Sequence, residues 1–122
     1  MHIEVGPEHM HCAVLSERGM RGTTYRVYLR IHGSLDSRGM VMDFSRAKRI
    51  LKDLADALDH RVLLTAGDYS TSDGYITYSG FRIPASEVVV CRDVQEELEK
   101  FLDRIDFPDN VVRAEVVVEE IL

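Results

Sequence analysis

Between Asp43 and Asp59 the apolar residues Ala47, Ile50, Leu51, Leu54 and Leu58 return every three or four positions. That is the spacing at which side chains line one face of an α-helix. Arg46, Lys48, Arg49, Lys52, Asp53 and Asp56 fall mostly off this stripe and keep the other faces in water. A helix with one apolar stripe must bury it against a second layer, and that requirement constrains the fold more than any other feature. Asp43 or Ser45 can cap the start, a side-chain oxygen accepting an amide that the first turn leaves without a partner. The helix then delivers Asp59 and His60 at its C-terminal edge.

The second layer is legible in the flanking segments. Tyr25, Val27, Leu29 and Ile31 alternate with Arg26, Tyr28, Arg30 and His32, the pattern of a half-buried strand. Before it, Ile3 to Val5 and Met10 to Leu15 read as strand pieces broken by Gly6-Pro7. Gly33 to Gly39 is a turn rich in residues that tolerate turn dihedrals. Residues 61–92 read as a hairpin insertion, with Tyr75 to Tyr78 and Gly80 to Ile83 flanking a Ser79-Gly80 turn. Within it Ala66 to Gly74 reads as a polar loop and Glu87 to Cys91 as a β-branched run. A second helix opens at Asp93, with Val94, Leu98, Phe101, Leu102 and Ile105 on one face, and Phe107-Pro-Asp-Asn110 ends it. Val111 to Glu120 is a valine-rich last strand in which Glu120 continues in phase with Ala114, Val116 and Val118. The order implies an α+β fold with an antiparallel sheet, in one domain spanning residues 1–122.

Composition excludes several functional classes. Hydrophobic residues at 45% and charged residues at 30% describe a globular chain. A net charge of −6 argues against nucleic acid as partner, although a few local arginines still suffice for an anionic small molecule. Cys12 and Cys91 form no metal or redox spacing and fit a reducing compartment. The start lacks the pattern of a signal peptide, and no apolar run approaches the roughly 20 residues of a membrane span. A cytoplasmic domain without membrane contact is expected.

Four stretches, in this order and spacing, resemble the 6-pyruvoyltetrahydropterin synthases and their relatives, the 6-carboxytetrahydropterin synthases. Met20-Arg-Gly-Thr-Thr-Tyr-Arg-Val27 stands where the family has Leu-His-Gly-His-Asn-Tyr-Arg-Val. Gly39-Met-Val-Met-Asp-Phe44 and Leu58-Asp-His60 match the family closely, and Glu115 to Glu120 fits its closing strand. The resemblance implies a tunnelling fold: a four-stranded antiparallel sheet with two helices on one face, here with the inserted hairpin. It further implies subunits closed into a trimer or hexamer ring, with sites between neighbours and a pterin or related small molecule as ligand.

The resemblance also implies roles for particular residues. The family's zinc is held by three histidines, one on the first strand and two from His-Gly-His; here Arg21 and Thr23 occupy the pair. Neither is a usable zinc ligand, so no cofactor is expected unless a rearranged site holds zinc. His9 is the candidate for the surviving first ligand, and His9 and His11, two apart, would share a strand face. With a third ligand they could hold metal; read plainly, they are surface residues. The family's cysteine nucleophile or base has no direct counterpart: Glu17 stands near that position, and Cys12 lies earlier, where a buried structural thiol is the plain alternative. Asp59-His60 matches the family's proton-relaying pair, since histidine titrates near neutrality and a carboxylate can fix its tautomer. Glu120 matches the carboxylate that accepts the 2-amino and N3–H donors of a pterin. Glu96 falls where a further family glutamate stands, although Asp93 with Glu96 is equally a helix-capping pair. Arg21 would face a substrate phosphate or carboxylate in place of the metal. The expected function is that of a diverged member which binds or acts on a pterin-type ligand in a pterin, folate or deazapurine pathway, by lyase-type chemistry if active. The alternative is a non-catalytic pterin- or purine-binding, ring-forming homologue.

Overall fold

Two long strands, β1 (His2–Ser16) and β2 (Gly19–Gly33), form the antiparallel hairpin on which everything else is laid. They belong to a computed structural model that describes residues 1–121. The expected break at Gly6-Pro7 is instead a bulge inside one continuous strand, the register shifting between Val5 and Glu8. Proline has no amide to give a ladder, and a bulge is where a strand tolerates that loss.

Pairing fixes which side chains share a face. Met10 lies opposite Tyr25, Cys12 opposite Thr23 and Val14 opposite Arg21, while on the last strand, β8 (Val111–Ile121), Val116 lies opposite Leu29 and Val118 opposite Val27. Helices α1 (Phe44–Leu58) and α2 (Val94–Leu102) cover this face. Asp43 rather than Ser45 caps α1, its Oδ1 accepting the Ser45 amide at 3.0 Å. Ala47, Ile50, Leu51, Leu54 and Leu58 are all buried, joining Met10, Val27, Leu29, Ile31 and Leu98 in the core. Each large aliphatic buried there contributes roughly 1.5–3 kcal/mol. The second helix stops at Leu102, short of Ile105, which packs on the core from the following loop.

The sheet departs from the expected four antiparallel strands. Its order is β7-β3-β1-β2-β8, five strands, with β3 (Val62–Leu64) parallel to β1 and β7 (Val88–Val90) parallel to β3. Both are three-residue apolar runs without alternation, so their pairing sense leaves no trace in the sequence. The inserted hairpin is a separate three-stranded sheet, β4 (Ser70–Ser72), β5 (Tyr75–Tyr78) and β6 (Phe81–Pro84). β4 therefore replaces part of the expected polar loop. The β5–β6 turn is the anticipated one: Ser79 and Gly80 have φ of 49° and 85°, the left-handed pair that a tight hairpin requires. Ile76 and Tyr78 make a second small core with Leu15 and Leu64. No helix among the described residues is long and apolar enough to cross a membrane.

Candidate functional site

At the end of β2 nearest its hairpin turn, Arg21, Thr23 and Tyr25 alternate onto the helix-covered face, and the β8 register sets Glu120 opposite Tyr25. Arg21 Nη1 and Thr23 Oγ1 both donate to Glu120 Oε1, each at 2.7 Å. The Arg21 guanidinium, followed by the Thr23 hydroxyl, holds the Glu120 carboxyl below the usual glutamate range. Burial, reinforced by the neighbouring Glu120, pushes the Tyr25 phenol up to about 12, so it stays a hydrogen-bond donor. These groups line a cavity of about 350 Å³ whose other walls include Arg92, Asp93 and Gln95. Val14, Leu63 and Val118 supply apolar surface to it.

The start of α2 closes one wall. Asp93 Oδ1 accepts the amides of Gln95 at 2.8 Å and Glu96 at 3.4 Å. Gln95 then bridges to β8: its Nε2 donates to the Val116 carbonyl, and its Oε1 accepts the Val118 amide at 3.1 Å.

A second polar cluster forms where α1 ends. Asp59 Oδ1 accepts the His11 amide at 2.7 Å, and Asp59 Oδ2 lies 3.4 Å from His60 Nε2. The His60 amide donates back to the His11 carbonyl at 2.8 Å. His60 has φ of 60°. The His11 and His60 rings are 6.2 Å apart, and His11 Nδ1 is 3.1 Å from Thr24 Oγ1. The His60 side chain is 78% exposed, and neither Asp59 nor His60 lines the 350 Å³ cavity.

The structure thus brings Arg21 to Glu120, and His11 to Asp59 and His60, and keeps the other candidates apart. His9 lies opposite Arg26, on the strand face away from Arg21, so it cannot reach the inherited zinc position. His9 and His11 do share a face, yet no group of three His, Cys, Asp or Glu with metal-holding geometry exists among the described residues. The β1 residues that do face Arg21 and Thr23 are Val14 and Cys12. Cys12 donates its thiol to the Leu58 carbonyl at 3.1 Å, and burial, with Asp59 nearby, pushes it up to about 11. A thiol so held is neither nucleophile nor ready ligand. A guanidinium, a hydroxyl and a protonated thiol do not fit zinc. Glu17 sits exposed in the β1–β2 turn, lining a shallow cleft with Ser16 and Thr65. Glu96 lines a different cavity, with Glu97 and Lys100. Sequence reasoning missed Tyr25, Gln95 and Arg92. Tyr25 passed for an apolar strand residue, but its phase with Arg21 and Thr23 was the available signal.

Comparison with known proteins bears on the fold and the family. Residues 8–120 match the family profile described as 6-pyruvoyl tetrahydropterin synthase. A Pyrococcus abyssi (strain GE5 / Orsay) protein named "Putative 6-carboxy-5,6,7,8-tetrahydropterin synthase" is 32% identical over 77 residues, 60% of this chain. The match spans 46% of that protein, about half its length. Among solved structures, a catalytic-residue mutant of Plasmodium vivax 6-pyruvoyltetrahydropterin synthase superposes with a TM-score of 0.66 at 21% identity, covering 98% of this chain and 91% of that one. The Plasmodium falciparum 6-pyruvoyl tetrahydropterin synthase gives 0.64 at 16% identity, covering 99% and 98%. At such identities the structures speak for the fold, and the profile for descent. The chain belongs to the 6-pyruvoyl tetrahydropterin synthase family.

Proposed function

We propose that the chain binds a pterin-type heterocycle in the cavity at the Glu120 end of the sheet. Glu120 carries this reading. Its carboxylate is kept ionised, and Arg21 and Thr23 both engage Oε1, so Oε2 has no protein donor among the described residues. The 2-amino and N3–H groups of a pterin are adjacent donors, and a charged acceptor answers them best. The apolar surface of Val14, Leu63 and Val118 suits a flat ring, and about 350 Å³ is within the range of small-ligand sites.

In this reading any turnover is lyase-type cleavage on the pterin side chain, with His60 moving the proton and Asp59 holding the imidazole. No step runs through zinc, because Arg21 and Thr23 do not fit it. Asp59 and His60 lie outside the cavity of their own chain, so the reading requires those of a neighbouring copy, as the family's ring would supply. Binding without turnover is the second reading, favoured by the exposure of His60.

The test is calorimetric titration of neopterin. Glu120→Gln should weaken binding about 10–100-fold, the worth of a charge-assisted hydrogen bond. Unchanged affinity in the variant, or no binding to the unmodified chain at millimolar neopterin, contradicts the proposal.

A further inference from the structure

Tyr25 is only 8% exposed, and its ring is part of the core that holds Met10, Val27 and Leu58. Its phenol has no protein partner, yet no buried side-chain oxygen or nitrogen among the described residues lacks one. Both are true only if the hydroxyl opens out of the core, and Tyr25 is part of the wall of the 350 Å³ cavity. The register sets Tyr25 directly opposite Glu120, and side chains so paired start about 5 Å apart. A neutral donor, fixed by the packing of its ring, thus stands beside a charged acceptor.

Together the two groups can read an edge of a flat ring. Along that edge of a pterin the 2-amino and N3–H donors are followed by the C4 oxygen, an acceptor. Glu120 answers the donors, and the oxygen needs a donor of its own once water is excluded. Arg21 is committed to Glu120, and Arg92 also opens onto the neighbouring cavity lined by Glu96, Glu97 and Lys100. Both arginines are exposed, so water competes for their N–H groups. The Tyr25 phenol, pushed up to about 12, keeps its proton at any working pH.

We propose that Tyr25 is a specificity-determining residue of this site, its hydroxyl donating to the C4 oxygen of the heterocycle whose amino edge Glu120 takes. The proposal rests on the pterin reading above and extends it from two positions of the ring edge to three. A ring that keeps both N–H donors but has a poor acceptor at C4 retains the Glu120 bonds and loses this one.

A cycle of two chains and two ligands, followed by calorimetric titration, tests this. The ligands are pterin and 4-thiopterin, in which sulfur, a weak acceptor, replaces the C4 oxygen while both N–H donors remain. Tyr25→Phe removes one oxygen and keeps the packed ring. It should weaken pterin about 5–20-fold, the worth of a hydrogen bond to a buried acceptor, and leave 4-thiopterin within about 2-fold. Sulfur is larger than oxygen, but both chains meet that difference alike, so the cycle cancels it. Unchanged pterin affinity in Tyr25→Phe overturns the proposal and leaves the Glu120 reading standing. An equal loss for both ligands does the same, since it marks a change of packing. No pterin binding to the unmodified chain overturns both together.

A second measurement uses the unmodified chain alone. The ¹³Cζ resonance of Tyr25, sensitive to what the phenol bonds, is followed by NMR in selectively labelled protein. It should move on saturation with pterin and move less with 4-thiopterin. Equal displacement by the two ligands, or none, overturns the proposal.

Discussion

His60 is held at φ of 60°, a left-handed conformation that crowds the β-carbon of any L-residue. The cost is roughly 1–2 kcal/mol, and helices commonly end in glycine at such a position. Here an imidazole sits in its place, beside Asp59, and strain of this kind gathers at functional positions. His60→Gly should raise stability on the order of 0.5 kcal/mol, since glycine's greater unfolded-state freedom cancels part of the relief. Chemical denaturation reads this directly, and a loss of stability would mean the side chain is held by contacts that outweigh the strain. Residue types showed much of this scale in advance. The phase of Glu120 with Val118 and Val116 predicted the face on which it lies. Spacing could not show that Arg21 reaches across to Glu120, because that contact joins residues 99 positions apart. Nor could it show that Cys12 is tied to the end of α1 by a bond to Leu58.

At the scale of elements, amphipathic patterns were reliable and pairing was not. The stripe of α1 and the alternation of β2 each have a period that only one conformation satisfies. β3 and β7 are three residues each and apolar on both faces, so nothing local told parallel from antiparallel. The start of α2 shows how an element serves the cavity. Asp93 caps it, and the cap aims Gln95 at β8, where its amide takes the place of a neighbouring strand at Val116 and Val118. Asp93→Ala should cost about 1 kcal/mol, a typical value for a lost cap. The same variant should loosen the cavity wall, seen as faster amide exchange at Val118. A variant as stable as the parent would mean that tertiary packing alone holds the first turn.

For the whole molecule, the main sheet has two unfinished sides. β8 is an edge strand of 11 residues, and β1 is joined by β3 only over Ala13 to Leu15, leaving its first half open opposite β2. Gln95 covers part of the β8 edge, and the remainder invites strand pairing. Sedimentation should therefore show a trimer or hexamer of the 13.9 kDa chain at micromolar concentration, which would also bring Asp59 and His60 of one copy toward the cavity of another. A monomer under those conditions contradicts the ring and the shared site together. The central claim, that the Glu120 carboxylate reads the amino edge of a pterin, is met most directly by comparing two ligands in one titration. A pterin carries an amino group at C2 and a lumazine carries an oxygen there, with the ring otherwise alike. The account predicts that the unmodified chain prefers the pterin about 10–100-fold, because a lumazine turns an acceptor toward an ionised carboxylate. Equal affinity for both would contradict it.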